Sequence, residues 1–140
     1  MNNQFETLLN EIQEDMVAIC LEYCHNHCDD VYIHIIHEND STFVNFFFRI
    51  DGQMRMKSRL TEGKRIEPSY QSAALDGLLL NARKIISLYE NTGRPVPTEF
   101  RIKYCKNKES FEAVYQYEPI KTETKTDRQI SEEWFNQLNF

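Results

Sequence analysis

The chain has 140 residues, of which 41% are hydrophobic and 27% charged, and its formal net charge is −6. This length and composition predict one globular domain over residues 1–140, with no apolar run long enough to span a membrane. The acidic N-terminus lacks the basic and apolar regions of a signal peptide, which indicates a cytoplasmic protein. The acidic total argues against nucleic acid as a direct partner.

The charge is unevenly distributed along the chain. Residues 1–51 carry ten acidic and one basic side chain, residues 52–108 carry five acidic and twelve basic, and residues 109–140 carry seven acidic and three basic. The acidic flanks favour a basic protein partner. The alternative is that strands from different segments become neighbours in a sheet, so that the asymmetry disappears in space.

A helix is predicted over residues 3–27. Apolar side chains recur there at spacings of three and four, the pattern of an amphipathic helix with one buried face. Its acidic side chains lie largely off this stripe, and Asp29 and Asp30 end the element. We expect this helix to lie across a sheet.

Three antiparallel strands are predicted over residues 31–57. Asp51-Gly52 is the sharpest turn signal, because both residues tolerate the positive φ that a two-residue type I′ turn needs. In the middle strand, the alternate residues from Val44 to Ile50 are all apolar and are expected to face the core. The opposite set consists of Phe43, Asn45, Phe47 and Arg49. This mixed set predicts a face that is either thinly covered or used for binding.

The second half of the chain predicts a long helix, two strands and a short helix. The long helix begins at Pro68, which fits a first helical position, and ends near Glu90, before Gly93. A half-buried strand over residues 100–105, a turn, and a Tyr-rich strand follow, and residues 127–139 form a closing amphipathic helix. The predicted class is α+β, a five-stranded antiparallel sheet in the order α-βββ-α-ββ-α, with two long helices packed on one face and a short C-terminal helix.

A cluster of Cys and His near the end of the first helix is a candidate metal site. Its members are Cys20, Cys24, His25, His27 and Cys28, with His34 and His37 nearby. One rigid helix cannot easily surround a tetrahedral zinc ion, and no second pair of ligands completes the set. Buried thiols behave as small hydrophobes, and a cytosolic domain of this size does not suit disulfides. We therefore expect structural cysteines, no metal and no cofactor.

The sequence contains no assembled catalytic constellation. Cys28 or Cys105 with a histidine is a candidate nucleophile, but no nucleophile elbow or glycine-rich loop accompanies either. The paired carboxylates Glu132-Glu133 fit solvated or helix-terminal charges better than an acid/base pair. We therefore expect a non-enzyme without catalytic residues.

Aromatic side chains are more numerous than one small core needs, and acidic residues accompany them. This combination suits an interface with a basic protein. The alternative is that a helix covers the second face of the sheet. The predicted contact region combines the tip of the first hairpin, two phenylalanines of the mixed face, and the Tyr-rich strand with its exit. Its residues are Glu38, Asp40, Phe43, Phe47, Tyr115, Tyr117 and Glu118.

Four segments carry a family resemblance: VYIHIIHENDSTFVNFFFRIDGQM, LLLNARKIISLYENTGRP, RPVPTEFRIKYCKNKESFEAVYQYE and SEEWFNQLNF. Together they resemble the YezG-like immunity family of bacterial polymorphic toxin systems. The resemblance covers residues 30–140. For the first helix it is limited to the type of element, a helix at that place in the order. The PTE motif followed by an alternating strand and a Tyr-rich strand is its most specific part.

The resemblance implies an antitoxin, which binds a cognate secreted toxin in the producing cell and blocks it. The toxin is expected to be a basic nuclease domain. The resemblance supplies no catalytic residues, and it supplies no fixed contact residues because these differ with each toxin. Two other hypotheses stay open beside it. One is a small ligand- or metal-binding α+β domain with a housekeeping role, and the other is an enzyme that uses Cys or His.

Overall fold

The structure is a computed structural model and describes residues 3–61, 63–120 and 125–138. It has the predicted α+β class, with a five-stranded antiparallel sheet in the order β3-β2-β1-β4-β5. The elements are α1 (Asn3–Tyr23), β1 (Asp30–Glu38), β2 (Ser41–Ile50), β3 (Gln53–Met56), α2 (Pro68–Asn91), β4 (Glu99–Cys105), β5 (Ser110–Gln116) and α3 (Asp127–Leu138). None of the helices in the described ranges combines the length and the apolar character that a membrane crossing needs.

Two tight turns fix the register of the β1–β2–β3 meander. Asn39 and Asp40 have φ values of 53° and 61°, and Asp51 and Gly52 have values of 52° and 80°. Positive φ at both central residues is typical of a type I′ turn, whose twist matches that of the flanking strands. The turn predicted at Asp51-Gly52 is therefore confirmed, and β1 pairs with β2 along its whole length.

The first helix ends earlier than predicted, at Tyr23 rather than at residue 27. His25 and Asn26 have φ values of 54° and 60°, and the Asn26 N–H donates to the Leu21 carbonyl at 2.8 Å. Left-handed residues with such a backbone bond are a common helix stop, and Asn adopts this conformation more readily than most residues. The predicted metal candidates His25, His27 and Cys28 therefore lie beyond the helix and not on it.

The helices α1 and α2 lie antiparallel on one face of the sheet. Phe5, near the start of α1, meets Tyr89, near the end of α2, with their ring centroids 5.0 Å apart. At the opposite ends, Tyr23 stacks on Tyr70 with a centroid distance of 4.8 Å. These two pairs join the helices at both ends, so that their apolar faces cover the sheet together.

The larger core lies between these two helices and the sheet. From β2, every second side chain is buried in this core, as predicted; these residues are Val44, Phe46, Phe48 and Ile50. β1 and β4 contribute their own alternate residues to the same face, with Ile33 opposite Ile102 in the register. The period-two pattern of each strand therefore decides which side chains meet the helices.

A second, smaller core lies on the opposite face and corrects the prediction for that face. Phe47 is 2% exposed, and its ring centroid lies 5.2 Å from those of both Trp134 and Phe135 of α3. Tyr32 and Met54 complete this core. The face is therefore not thinly covered at Phe47. A helix covers it, which was the alternative to a binding face.

Candidate protein-binding surface

β5 is an edge strand whose side chains are exposed on both faces of the sheet. Phe111 and Tyr115 project on the helical face and are 37% and 36% exposed, and Tyr117, just beyond the strand, is 53% exposed. Val114 projects on the other face and is 62% exposed. A strand edge with exposed apolar side chains is a template for pairing with another chain, and contiguous apolar patches mark interaction sites.

Two grooves run between α1 and β5. The first has a volume of about 500 Å³ and lies between Val17 and its neighbours on α1 and Phe111. The second has a volume of about 490 Å³ and lies between the start of α1 and the side chains of Tyr115 and Tyr117. The buried Gln13 Nε2 donates to the Tyr115 hydroxyl at 3.2 Å and ties the helix to the strand. We call β5, Tyr117 and the side of α1 that lines these grooves the α1–β5 surface.

The rim of the first groove of the α1–β5 surface is acidic. Glu14 and Glu109 line the first groove, and none of the described residues that line it is cationic. Glu6 lines the second groove, where the guanidinium of Arg94 lies 3.8 Å from the centroid of the Phe5 ring. Acidic residues of the first and last segments of the chain therefore meet at the first groove, whereas the described residues that line the second groove include one acidic and one basic side chain.

Part of the predicted contact region comes together at one end of the sheet. The Ile120 N–H donates to the Glu38 carboxylate at 3.2 Å, and the Thr98 hydroxyl donates to the Glu118 carbonyl at 2.7 Å. These bonds hold the end of β1, the start of β4 and the exit of β5 side by side. Glu38 is half-buried, so Asp40 and Glu118 are the more exposed carboxylates of this group.

The two phenylalanines of the predicted contact region lie elsewhere. Phe43 and Phe47 project on the face of the sheet opposite to that of Tyr115. Phe43 is half-buried, and Phe47 is buried under α3. A partner has no access to Phe47 while α3 is in place. The seven predicted residues are therefore divided between two faces and do not form one surface.

The α1–β5 surface also contains residues that the sequence reasoning missed. Phe111 was placed on the same strand face as Tyr115 but not in the contact region, Val114 was not considered, and the residues of α1 were treated as core or solvated positions. The alternation of Phe111, Ala113 and Tyr115 is the same whether a strand is central or at an edge. Only the order of the strands shows that this alternation belongs to an edge, and no local signal in the sequence gives that order.

The cysteine cluster lies in the larger core. Cys20, Cys24 and Cys28 are buried, and burial raises the pKa of the Cys20 thiol. A hydrogen bond between the thiols of Cys24 and Cys28 lowers the pKa of Cys24 and raises the pKa of Cys28. In the part of the chain that the structure describes, no group of three or more His, Cys, Asp or Glu side chains could hold a metal ion. The expectation of no metal remains a prediction.

A buried polar cluster connects β1, β4 and α3. The Nε2 atom of the fully buried His34 lies 2.5 Å from Oε2 of Glu99, which also accepts a hydrogen bond from Arg101 Nε at 2.8 Å. Trp134 of α3 packs on the His34 ring, with a centroid distance of 4.9 Å. Nδ1 of His34 has no hydrogen-bond partner among the described residues. We therefore assign the proton of a neutral His34 to Nε2, where it is donated to Glu99.

Both members of this pair have pKa values below their usual range. Burial lowers the pKa of His34 below 6.5, and the hydrogen bond to Glu99 opposes this only in part. Burial alone would raise the pKa of Glu99, but hydrogen bonds from His34 and Arg101 outweigh burial and hold it below 4.5. At neutral pH the pair is therefore a neutral imidazole and a carboxylate.

Stability should fall as the pH drops from 7.5 to 5.5. The unfolded chain binds a proton on His34 more readily than the folded chain does, so the stabilising contribution is complete above about pH 6.5 and is lost below it. Urea unfolding at both pH values measures the effect. His34→Gln, which can still donate to Glu99, should reduce the difference, whereas His27→Gln at an exposed histidine should preserve it. An unchanged difference in His34→Gln would contradict the assignment.

Comparison with protein-family models finds no match to this chain, and a search of curated proteins finds no similar sequence. The resemblance to the YezG-like immunity family thus rests on the four sequence segments alone, and the function has to be argued from the geometry described above.

Proposed function

We propose that this protein is an immunity protein, an antitoxin that binds a cognate bacterial toxin through the α1–β5 surface and blocks its activity. The observation that carries the proposal is the edge strand β5, whose exposed aromatic side chains lie beside two grooves, the first of which has an acidic rim. The proposal has no catalytic step. Binding alone excludes the substrate of the toxin.

The aromatic side chains of β5 are suited to serve as anchors. Tyr115 is held in place by Gln13 and by the ring of Phe100, at a centroid distance of 5.4 Å, yet more than a third of it is exposed. Tyr117 is more exposed and lines the same groove. Tyrosine offers a large contact area and loses little conformational entropy on binding, and such residues dominate interface energetics.

The backbone of β5 supplies a second kind of contact. The His37 N–H donates to the Thr98 carbonyl at 2.8 Å, so even-numbered residues of β4 bond to β1. Backbone groups alternate in direction along a strand, and β4 pairs with β5 through Arg101 opposite Val114. Odd-numbered residues of β5, such as Ala113, therefore direct their N–H and C=O groups to the free edge. A strand of the toxin can pair there.

The acidic rim favours a basic toxin. A nuclease that holds nucleic-acid phosphates has a basic active site. Acidic residues around an interface steer such a partner into place and raise the association rate. Because Glu14 and Glu109 line a groove with no cation among its described residues, this charge is available to a partner. A basic nuclease domain is therefore the proposed class of toxin.

The test is co-expression with the toxin domain encoded by a neighbouring gene, followed by binding kinetics at two salt concentrations. The protein should restore growth and form a 1:1 complex without any turnover. Tyr117→Ala should raise the dissociation rate by about tenfold or more, as expected for an anchor. Glu14→Lys combined with Glu109→Lys should instead slow association and weaken its salt dependence, because rim charges act mainly on that rate.

Two matched variants serve as controls on α2. Leu80→Ala removes an apolar side chain that is 58% exposed, and Asp76→Lys reverses an exposed charge. Both should leave the kinetics unchanged. If the toxin kills the cells regardless and no complex forms at micromolar concentration, the function is wrong. If a complex forms and the control variants weaken it as much as Tyr117→Ala, the interface lies elsewhere.

A further inference from the structure

The outer edge of β2 is only partly covered by β3. The paired residues of β3 lie opposite Phe47–Ile50, so the first part of β2, from Ser41, pairs with β1 on its inner edge but with no strand of the described sheet on its outer edge. A cleft of about 320 Å³ lies there, between β2, the N-terminal half of α2, and α3. This cleft lies near the β3 edge of the sheet, whereas β5 forms the opposite edge. The cleft shares no lining residue with the two grooves of the α1–β5 surface.

The cleft is lined by more positive than negative charge. Lys57, Arg65 and Arg128 line it, and Glu132 is its one acidic residue among those described. Glu132 pairs with Arg128 at 3.5 Å. Within the described ranges, no carboxylate lies at ion-pair distance from Lys57 or Arg65. Burial and the nearby charge of Arg128 lower the pKa of Lys57, and the charge of Glu132 offsets this only in part. An anion in the cleft would relieve this repulsion.

The position of Lys57 is fixed by its neighbours. Its Nζ donates to Asn45 Oδ1 at 2.7 Å and lies 6.0 Å from the centroid of the Phe46 ring. Asn45 in turn donates from Nδ2 to Ser131 Oγ of α3 at 3.0 Å. This chain of bonds holds the ammonium group in the cleft before any ligand arrives, so a ligand does not bear the cost of ordering it.

The remaining lining suits the apolar part of a ligand. Phe43, Phe135, Met56 and Leu75 line the same cleft as the cations. Small-molecule sites combine such apolar walls with a few placed polar groups, and 320 Å³ lies at the lower end of their range of volumes. A peptide strand fits less well, because the Phe46 N–H already bonds to Asn45 Oδ1 at 2.9 Å. One backbone donor of the open edge is thus occupied.

We propose that this cleft binds a small organic anion, in which a phosphate or carboxylate group meets Lys57 and Arg65 and an apolar body packs against Phe43 and Phe135. Lysine and arginine are the usual ligands of both oxyanions, and hydrogen bonds between charged groups are the stronger ones. This site goes beyond the proposed function. Its test uses the purified chain without a toxin, so the failure of either proposal leaves the other standing.

The experiment is a titration of the isotope-labelled protein followed by amide chemical shifts. Phenyl phosphate and benzoate are the two probes, and they separate a phosphate from a carboxylate ligand. One of them should bind saturably and shift the amides of Ser58, Gln71 and Ser131. Inorganic phosphate lacks the apolar ring, and phenol lacks the anionic group. Each should therefore bind at least about tenfold more weakly than the better of the two probes.

Variants of the cleft provide the decisive comparison. Arg65→Gln changes an exposed side chain, and Lys57→Met retains the apolar stem of the lysine; each should weaken binding by about tenfold. Arg83→Gln, an exposed position on α2 outside the cleft, should leave binding unchanged. The proposal is overturned if neither probe saturates by millimolar concentrations, or if Arg83→Gln weakens binding as much as Arg65→Gln. Binding of a tetraglutamate peptide in place of both probes would also overturn it.

Discussion

Replacing Phe48 with alanine is expected to destabilise the protein by about 3–5 kcal/mol. The side chain is fully buried between the sheet and the helices, where its ring centroid lies 5.7 Å from that of Phe46 and 6.1 Å from that of Tyr23. Truncation removes these contacts and leaves a cavity that the hydrogen-bonded sheet cannot close. Unfolding by denaturant, followed by circular dichroism, measures the loss.

The same change at Phe47 is expected to destabilise the protein about as much. Phe47 is the next residue along β2 and projects on the other face, where Tyr32, Trp134 and Phe135 surround it. Leu80→Ala on the exposed face of α2 is the control and should change stability by less than about 0.5 kcal/mol. A loss below about 1 kcal/mol at Phe47 would show that α3 does not cover this face.

A double-mutant cycle separates the two cores. Trp134→Ala should show a coupling energy with Phe47→Ala, because the two rings are in contact, with their centroids 5.2 Å apart. It should add independently to Phe48→Ala, because the sheet lies between Phe48 and α3. Equal coupling in both pairs would mean that the two faces respond as one core.

The elements and their order follow from the sequence because their signals are local. The Asp51-Gly52 turn, the proline at the start of α2 and the period-two pattern of β2 each act within a few residues. These signals also identify the face of β2 that packs on α1 and α2. The end of α1 was predicted less well, because the left-handed His25 and Asn26 resemble ordinary helical positions in sequence.

The candidate site depends on long-range order, which local patterns do not contain. Phe43 and Phe47 alternate with polar residues in the same way whether the face is open or covered, and only the docking of α3 decides between the two. The exposure of Tyr115 likewise depends on β5 lying at an edge of the sheet. Composition shows that the first and last segments of the chain are acidic, but it does not show that they meet at this edge.

Ala113→Pro is expected to reduce toxin binding by at least about 100-fold while the fold is retained. The register places the Ala113 N–H at the free edge of β5, where it bonds to no other strand of the described sheet. Proline is tolerated at such a position, because the donor it removes is not used within the protein. The ring nevertheless blocks the approach of a second strand. The midpoint of urea unfolding should therefore change little, whereas binding should be lost.

Two neighbouring changes make this result interpretable. Ala113→Val keeps the N–H and a strand-forming side chain, so it should bind as the natural protein does. Val114→Pro removes a donor that bonds to β4, so it should destabilise the protein itself, because proline inside a paired ladder breaks a hydrogen bond. If Ala113→Pro binds normally while Tyr117→Ala does not, the toxin contacts only the side chains of the α1–β5 surface, and strand pairing is wrong.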